Sequence, residues 1–188
     1  MALTHLNKEE FLAWAYDDLF TNTTRGVLAE YIVATALDVA DTKRVEWDQY
    51  DLEMAGGVGV EVKSAAYVQA WPQARSSEIK FSIRTAQGWD GRNNTHADSA
   101  KRSAKVYVFC VLEGNEKSRI DPLDMAHWTF YVLATSELNR LVPKQKSIGL
   151  GPLRRLGARE CKYDDLEAAI YKAAGINRRC ETVHPGEC

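Results

Sequence analysis

The chain has 188 residues, 45% of them hydrophobic and 27% charged, with 12 glycines, 5 prolines and a formal net charge of −2. That length and balance fit a single globular domain spanning 1–188 and exclude disordered, collagen-like and low-complexity classes. The longest apolar run, Val106–Leu112, is far short of the roughly 20 residues of a membrane helix. The first residues lack a basic start followed by an apolar block, so the reading is an intracellular, cytoplasmic protein with no membrane partner.

The chain begins with two helical patterns, Leu6–Ala15 and Thr24–Ala40. In the second, Leu28, Tyr31, Ile32, Ala36 and Val39 recur at helical spacing, with Asn22, Thr23 or Thr24 as its cap. Val45–Met54 and Val58–Val68 read as strands joined by Ala55-Gly56-Gly57, a hairpin signal. Glu78–Arg84 is a further strand, and Asp90–Asp98 is a polar loop. Lys105–Leu112 and Trp128–Thr135 are strongly strand-like, and Ser136–Leu141 and Tyr163–Ala174 are helical. Helix, helix, a run of strands and a closing helix predict an α/β fold, a mixed central sheet with helices on its faces.

Charge is segregated along the chain. Residues 1–74 hold 5 Lys/Arg against 12 Asp/Glu, whereas 75–105 hold 7 against 3 and 140–162 hold 7 against 1. An acidic front half followed by two basic blocks suits a protein with metal-binding carboxylates and a polyanionic substrate; the same charges would also suit the solvated faces of unrelated helices.

The informative stretch is Asp51-Leu-Glu-Met-Ala-Gly-Gly-Val-Gly-Val-Glu61-Val-Lys63-Ser64. If Ala55–Gly57 is a three-residue loop, Met54 faces Val58 and Asp51 falls opposite Glu61, with Cβ atoms about 4.5–5.5 Å apart. Lys63, two residues on, shares that face. A two-residue Gly56-Gly57 turn would instead set Asp51 against Val62 and dissolve the cluster. Two opposed carboxylates repel unless a cation intervenes. Hard Mg²⁺ is held by one or two carboxylates together with water and substrate phosphates, and a neighbouring lysine can position water and offset developing charge. A salt-bridged surface hairpin is the ordinary alternative.

Asp51, the glycine turn and Glu61-Val62-Lys63-Ser64 resemble the motif of the PD-(D/E)xK nuclease superfamily, which is restriction endonuclease-like in fold. Glu30, in Arg25-Gly-Val-Leu-Ala-Glu30-Tyr, matches the acid that such proteins carry on an upstream helix, and the strands from Lys105 and Trp128 resemble the later strands of bacterial members. The resemblance spans Arg25 to Ser136. It implies a Mg²⁺-dependent endonuclease acting on DNA, with Mn²⁺ able to substitute. Asp51, Glu61 and the Val62 carbonyl would ligate the metal, Lys63 would serve the attacking water, and Glu30 would hold a second metal or a metal-bound water. Tyr50 stands where the superfamily often has proline. A second Glu-x-Lys, Glu78-Ile-Lys80, follows no aspartate across a glycine turn.

Candidate DNA contacts are Gln69, just beyond the lysine strand, and the cations Arg84, Arg92, Lys101 and Arg102 around Trp89 and His96. Arg154 and Arg155 are further candidates for backbone phosphates. Gly149-Leu-Gly151-Pro-Leu-Arg154-Arg155-Leu-Gly157 lacks the Lys-Ser/Thr of a phosphate loop, so no nucleotide cofactor is expected. Cys180, His184 and Cys188 match no usual zinc spacing. Two active sites are normally needed to cut both strands, which makes a homodimer reasonable. The rival readings are a non-catalytic DNA-binding or interaction module that keeps the fold, and a structural domain whose acids are surface groups.

Overall fold

A computed structural model describes residues 5–41, 44, 49–54, 56–87, 89–90, 95–96 and 99–176. Helix α1 (Lys8–Tyr16) and helix α2 (Asn22–Ala36) come first. A five-stranded sheet follows, built from β1 (Leu52–Met54), β2 (Val58–Ala66), β6 (Val106–Leu112), β7 (Trp128–Ala134) and β9 (Arg159–Cys161), in the spatial order β1-β2-β6-β7-β9. The β2–β6 pair is parallel and the other three are antiparallel, so the sheet is mixed, as the element order predicts. Strands β3 (Lys80–Ser82) and β8 (Ser147–Gly149) pair separately, as do β4 (Trp89–Asp90) and β5 (Thr95–His96).

The sheet is covered on both faces. On one, Val60, Val62, Val106, Val108, Phe130 and Val132 pack with Ala29, Ile32 and Val33 of α2 and with Leu166, Ala169 and Ile170 of α5 (Tyr163–Ala174). On the other, Tyr107, Phe109, Tyr131 and Leu133 meet Phe81 and Ile148 of the β3–β8 ribbon and Ile83, just beyond β3. Leu138 of α3 (Thr135–Leu141) and Leu153 of α4 (Leu150–Arg155) complete that layer. All seven residues of β6 are buried, which explains why that strand reads as a continuous apolar run rather than an alternation.

Several boundaries differ from the sequence reading. The first strand of the hairpin is three residues rather than ten; Gln49–Asp51 bend, and 45–48 lie outside the described residues. Thr21, not Asn22–Thr24, caps α2, its hydroxyl accepting from the Thr24 amide. The Asp90–Asp98 stretch holds the end of β4 and the whole of β5, which pair with each other, rather than loop alone. The glycine-rich 149–157 segment forms α4, because Pro152 sits in its first turn, where its missing N–H costs nothing. Helix α1 buries none of its residues; Phe11, Leu12, Trp14 and Tyr16 are all exposed. Among the described residues no helix is long and apolar enough to cross a membrane.

Candidate active site

The β1–β2 hairpin carries the candidate site, and its register follows from the turn. Gly56 and Gly57 both adopt positive φ, 83° and 76°, which side-chain-bearing residues rarely take, and the Gly57 amide closes the turn on the Met54 carbonyl at 3.1 Å. The pairs are Met54 with Val58, Glu53 with Gly59, and Leu52 with Val60. This is the three-residue-loop register. Asp51 is the next residue outward, just before β1, level with Glu61 across the hairpin. Val60 and Val62 face the α2–α5 layer, so alternation turns Glu61 and Lys63 to the other face.

The side chains converge as that alternation requires. Lys63 Nζ lies 2.5 Å from Glu61 Oε1 and 3.9 Å from Asp51 Oδ2. Asp51 Oδ2 also accepts a 2.7 Å hydrogen bond from the Val62 amide, which holds the acid against the middle of β2. Two carboxylates thus share one ammonium in a partly buried setting. Burial and the Asp51 charge push the Glu61 carboxyl above its ordinary range, against the pull of Lys63. Burial would lower the Lys63 pKa, but Glu61 and Asp51 outweigh it and hold the lysine above its usual value. The surplus is negative, and a cation would relieve it.

Glu30, on α2, is close enough for Asp51 and Lys63 to affect its titration; burial pushes it upward, against the lowering effect of Arg44. Arg44 donates to Glu30 through Nε, and through Nη2 at 3.2 Å. No motif in the sequence points to Arg44. Tyr107, beside Glu61 in the β2–β6 pair, was likewise not anticipated; burial and Glu61 push its hydroxyl well above the usual tyrosine range. Among the described residues, no three His, Cys, Asp or Glu side chains are grouped closely enough to hold a metal ion together. The hairpin therefore offers a two-carboxylate donor set, with Glu30 behind it.

The other candidates are dispersed. Glu78 and Lys80 lie exposed on or beside β3, where Lys80 pairs with Gly149 and no acid stands opposite. Gln69 is buried, donating to the Ala66 carbonyl at 2.8 Å and accepting from Arg25 at 3.3 Å, so it is a structural group of the strand end. Arg102 is not a DNA-facing cation. It is buried, with Nε donating to the Ile83 carbonyl, Nη1 to Asn139, and Nη2 to the Val142 and Gln145 carbonyls. Arg84 and Lys101 are exposed, and Arg92 lies outside the described residues. Arg154 is held by Glu160 at 3.1 Å and the Tyr131 hydroxyl at 2.7 Å, whereas Arg155 is exposed. Cys180, His184 and Cys188 also fall outside the described residues.

The edge hairpin of the mixed sheet thus brings two acids and a lysine to one point, and the class of the protein, a nuclease, follows from its family. The chain belongs to the bacteriophage T4 endonuclease IV family, whose family model matches residues 13–148, well over half of the sequence. It is accordingly a DNA endonuclease. The matched stretch contains Glu30, Asp51, Glu61 and Lys63 and stops short of Arg154 and Arg155. No curated protein matches the chain.

Proposed function

We propose that the protein hydrolyses DNA phosphodiester bonds with a divalent metal ion, Mg²⁺ in the first place and Mn²⁺ in substitution, at a PD-(D/E)xK-type site on the β1–β2 hairpin. The observation that carries this reading is the placement of Lys63 Nζ at 2.5 Å from Glu61 and 3.9 Å from Asp51. The donor set fits a hard cation: two carboxylate oxygens, partly buried and carrying more negative charge than one lysine offsets. Asp51, Glu61 and the Val62 carbonyl would hold the ion, whose contribution is Lewis-acid stabilisation of charge on the transferring phosphate.

The chain's own residues do the rest. The Val62 amide orients Asp51, so that carboxylate needs little reorganisation when substrate arrives. The Lys63 amine lies beside both carboxylates, where it would position the attacking water and offset developing negative charge on the phosphate. Glu30, with its carboxyl pushed upward by burial, is the further acid available on the α2 side. The basic exposed groups Arg84, Lys101 and Arg155 supply sequence-independent attraction for the DNA backbone.

The test uses the purified full chain on plasmid, linear and branched DNA with Mg²⁺, with Mn²⁺ or in EDTA. Cleavage in the first two conditions and none in EDTA supports the reading. Undiminished cleavage in EDTA would remove the metal from it.

A further inference from the structure

Beyond the C-terminal end of β2 lies an open cleft of about 510 Å³, lined among others by Val68, Trp71, Pro72, Arg75, Asn115 and Lys117. That volume lies within the roughly 300–1,000 Å³ range of small-molecule sites. Trp71 and Pro72 are exposed and Val68 is half-buried, giving an apolar wall with an aromatic face open to solvent. Arg75 is exposed, and among the described residues its guanidinium has no ion-pair partner. Lys117 is shared with Asp18 at 3.5 Å and lies over the Phe20 ring. No acidic residue lines the cleft.

A second, independent feature lies behind it. Arg25 is 3% exposed, yet its contacts are all neutral: the Phe20 carbonyl at 3.0 Å, Asn22 Oδ1 at 2.7 Å and Gln69 Oε1 at 3.3 Å, while Nε has no partner. A buried guanidinium without a carboxylate is costly unless something anionic offsets it. Its contact Gln69 is itself part of the cleft wall. An open aromatic face, two cations at the rim and an uncompensated buried cation behind them form a pocket for a group that is flat at one end and anionic at the other.

We infer that this cleft takes one nucleotide of the DNA substrate at a distance from the cut, base against Trp71 and phosphate toward Arg75 and Lys117. The inference rests on the reading of the chain as a DNA endonuclease. The placement suits it: β2 carries Glu61 and Lys63 in its middle and leads into the cleft, and Val68 lies only five positions beyond Lys63. Those five steps span at most about 18 Å, about five steps of the 3.4 Å rise of a DNA strand. One strand can therefore reach both places. Helix α2 runs alongside, with Arg25 at the cleft end and Glu30 at the hairpin end.

The experiment keeps binding apart from cleavage. The full chain is bound in EDTA to a bromodeoxyuridine-containing oligodeoxynucleotide, irradiated, and its cross-linked peptide mapped. Affinity is measured in parallel for the parent, W71F, W71A and R75A over a range of salt. The expected cross-link is at Trp71. W71A should lose roughly tenfold or more in affinity, as deletion of one base-stacking ring does, while W71F keeps most of it. R75A should flatten the logarithmic salt slope by about 0.7–0.9. Cross-links only elsewhere, or W71A and R75A both binding as the parent does, would overturn the inference. Failure of the endonuclease reading would show differently, as a parent protein that leaves DNA uncut in Mg²⁺ and Mn²⁺.

Discussion

The Asp51 carboxylate is hydrogen-bonded at 2.7 Å to the amide of Val62, a residue eleven positions away that separates Glu61 from Lys63. An acid lying just outside β1 is thereby fastened to the strand that bears the other two members of the cluster. The bond extends the contact across the hairpin beyond β1, which is only three residues.

Asp51 should therefore matter twice. Asp51→Ala leaves the Val62 amide without its acceptor, a loss of about 1–3 kcal/mol, and also removes a proposed metal ligand. Asp51→Asn keeps an oxygen acceptor for the amide and should restore most of the stability without restoring cleavage. Urea unfolding alongside a plasmid nicking assay separates the effects. An active Asp51→Asn variant would remove the carboxylate from the chemistry.

Lys63 and Lys80 occupy like positions in two Glu-x-Lys triplets but unlike surroundings. Lys63→Ala should reduce cleavage by about 10²-fold or more, the range for a group that stabilises developing charge, and leave calorimetric Mn²⁺ binding largely intact. Glu61→Ala should lose both, whereas Lys80→Ala should cleave at close to the parent rate. Inactivity of the Lys80 variant with an active Lys63 variant would relocate the site to β3.

Glu61 sets a pH dependence of the metal-free protein. Its carboxyl is pushed up by burial and by Asp51, so the folded protein binds that proton more tightly than the unfolded chain does. The resulting stability is fully present below the ordinary glutamate pKa of about 4.3 and is lost as pH rises through the raised value. In EDTA at about pH 7, Glu61→Gln should raise the melting temperature, with each 1 kcal/mol gained worth about 2–4 °C in a domain of this size. The gain should vanish near pH 4. Thermal melts at the two pH values check the sign; a Glu61→Gln variant that melts lower at neutral pH contradicts it.

Gly59 is required by its neighbour. A Cβ there would lie 2.4 Å from Cδ1 of the Tyr50 ring, and Tyr50 immediately precedes Asp51. Gly59→Ala should cost about 1–3 kcal/mol through overpacking and reduce cleavage by displacing the Tyr50–Asp51 segment. Adding Tyr50→Ala should recover part of the activity if crowding is the cause. Activity lost equally in the single and the double variant would point to the strand backbone instead.

The hairpin was legible because its determinants are local. Two glycines that accept positive φ set the turn, the turn sets the register, and alternation then assigns Asp51, Glu61 and Lys63 to one face. Strands β6 and β7 and helix α5 were legible through long apolar patterns. The short edge elements β8, α4 and β9 were not, since three to six residues carry no period and 149–157 read as glycine-rich loop. Arg102 reads as a DNA-facing cation in the sequence because burial of a guanidinium depends on carbonyls and amides brought together by tertiary structure. Gln69, a candidate DNA contact by sequence, turns its side chain to Arg25 rather than to solvent.

The burial of β6 on both faces also sets how the domain breathes. Its amides bond to β2 on one side and β7 on the other, and no residue of the strand reaches solvent. Deuterium should enter Val108 and Phe109 only when the whole sheet comes apart, so their exchange rate reports the global unfolding free energy. Strand β1, three residues long at the sheet edge, should exchange far sooner through local fraying. Fraying of β1 leaves β2, which bears Glu61 and Lys63, paired to the buried β6, so Asp51 is the member of the cluster whose position depends most on the edge strand.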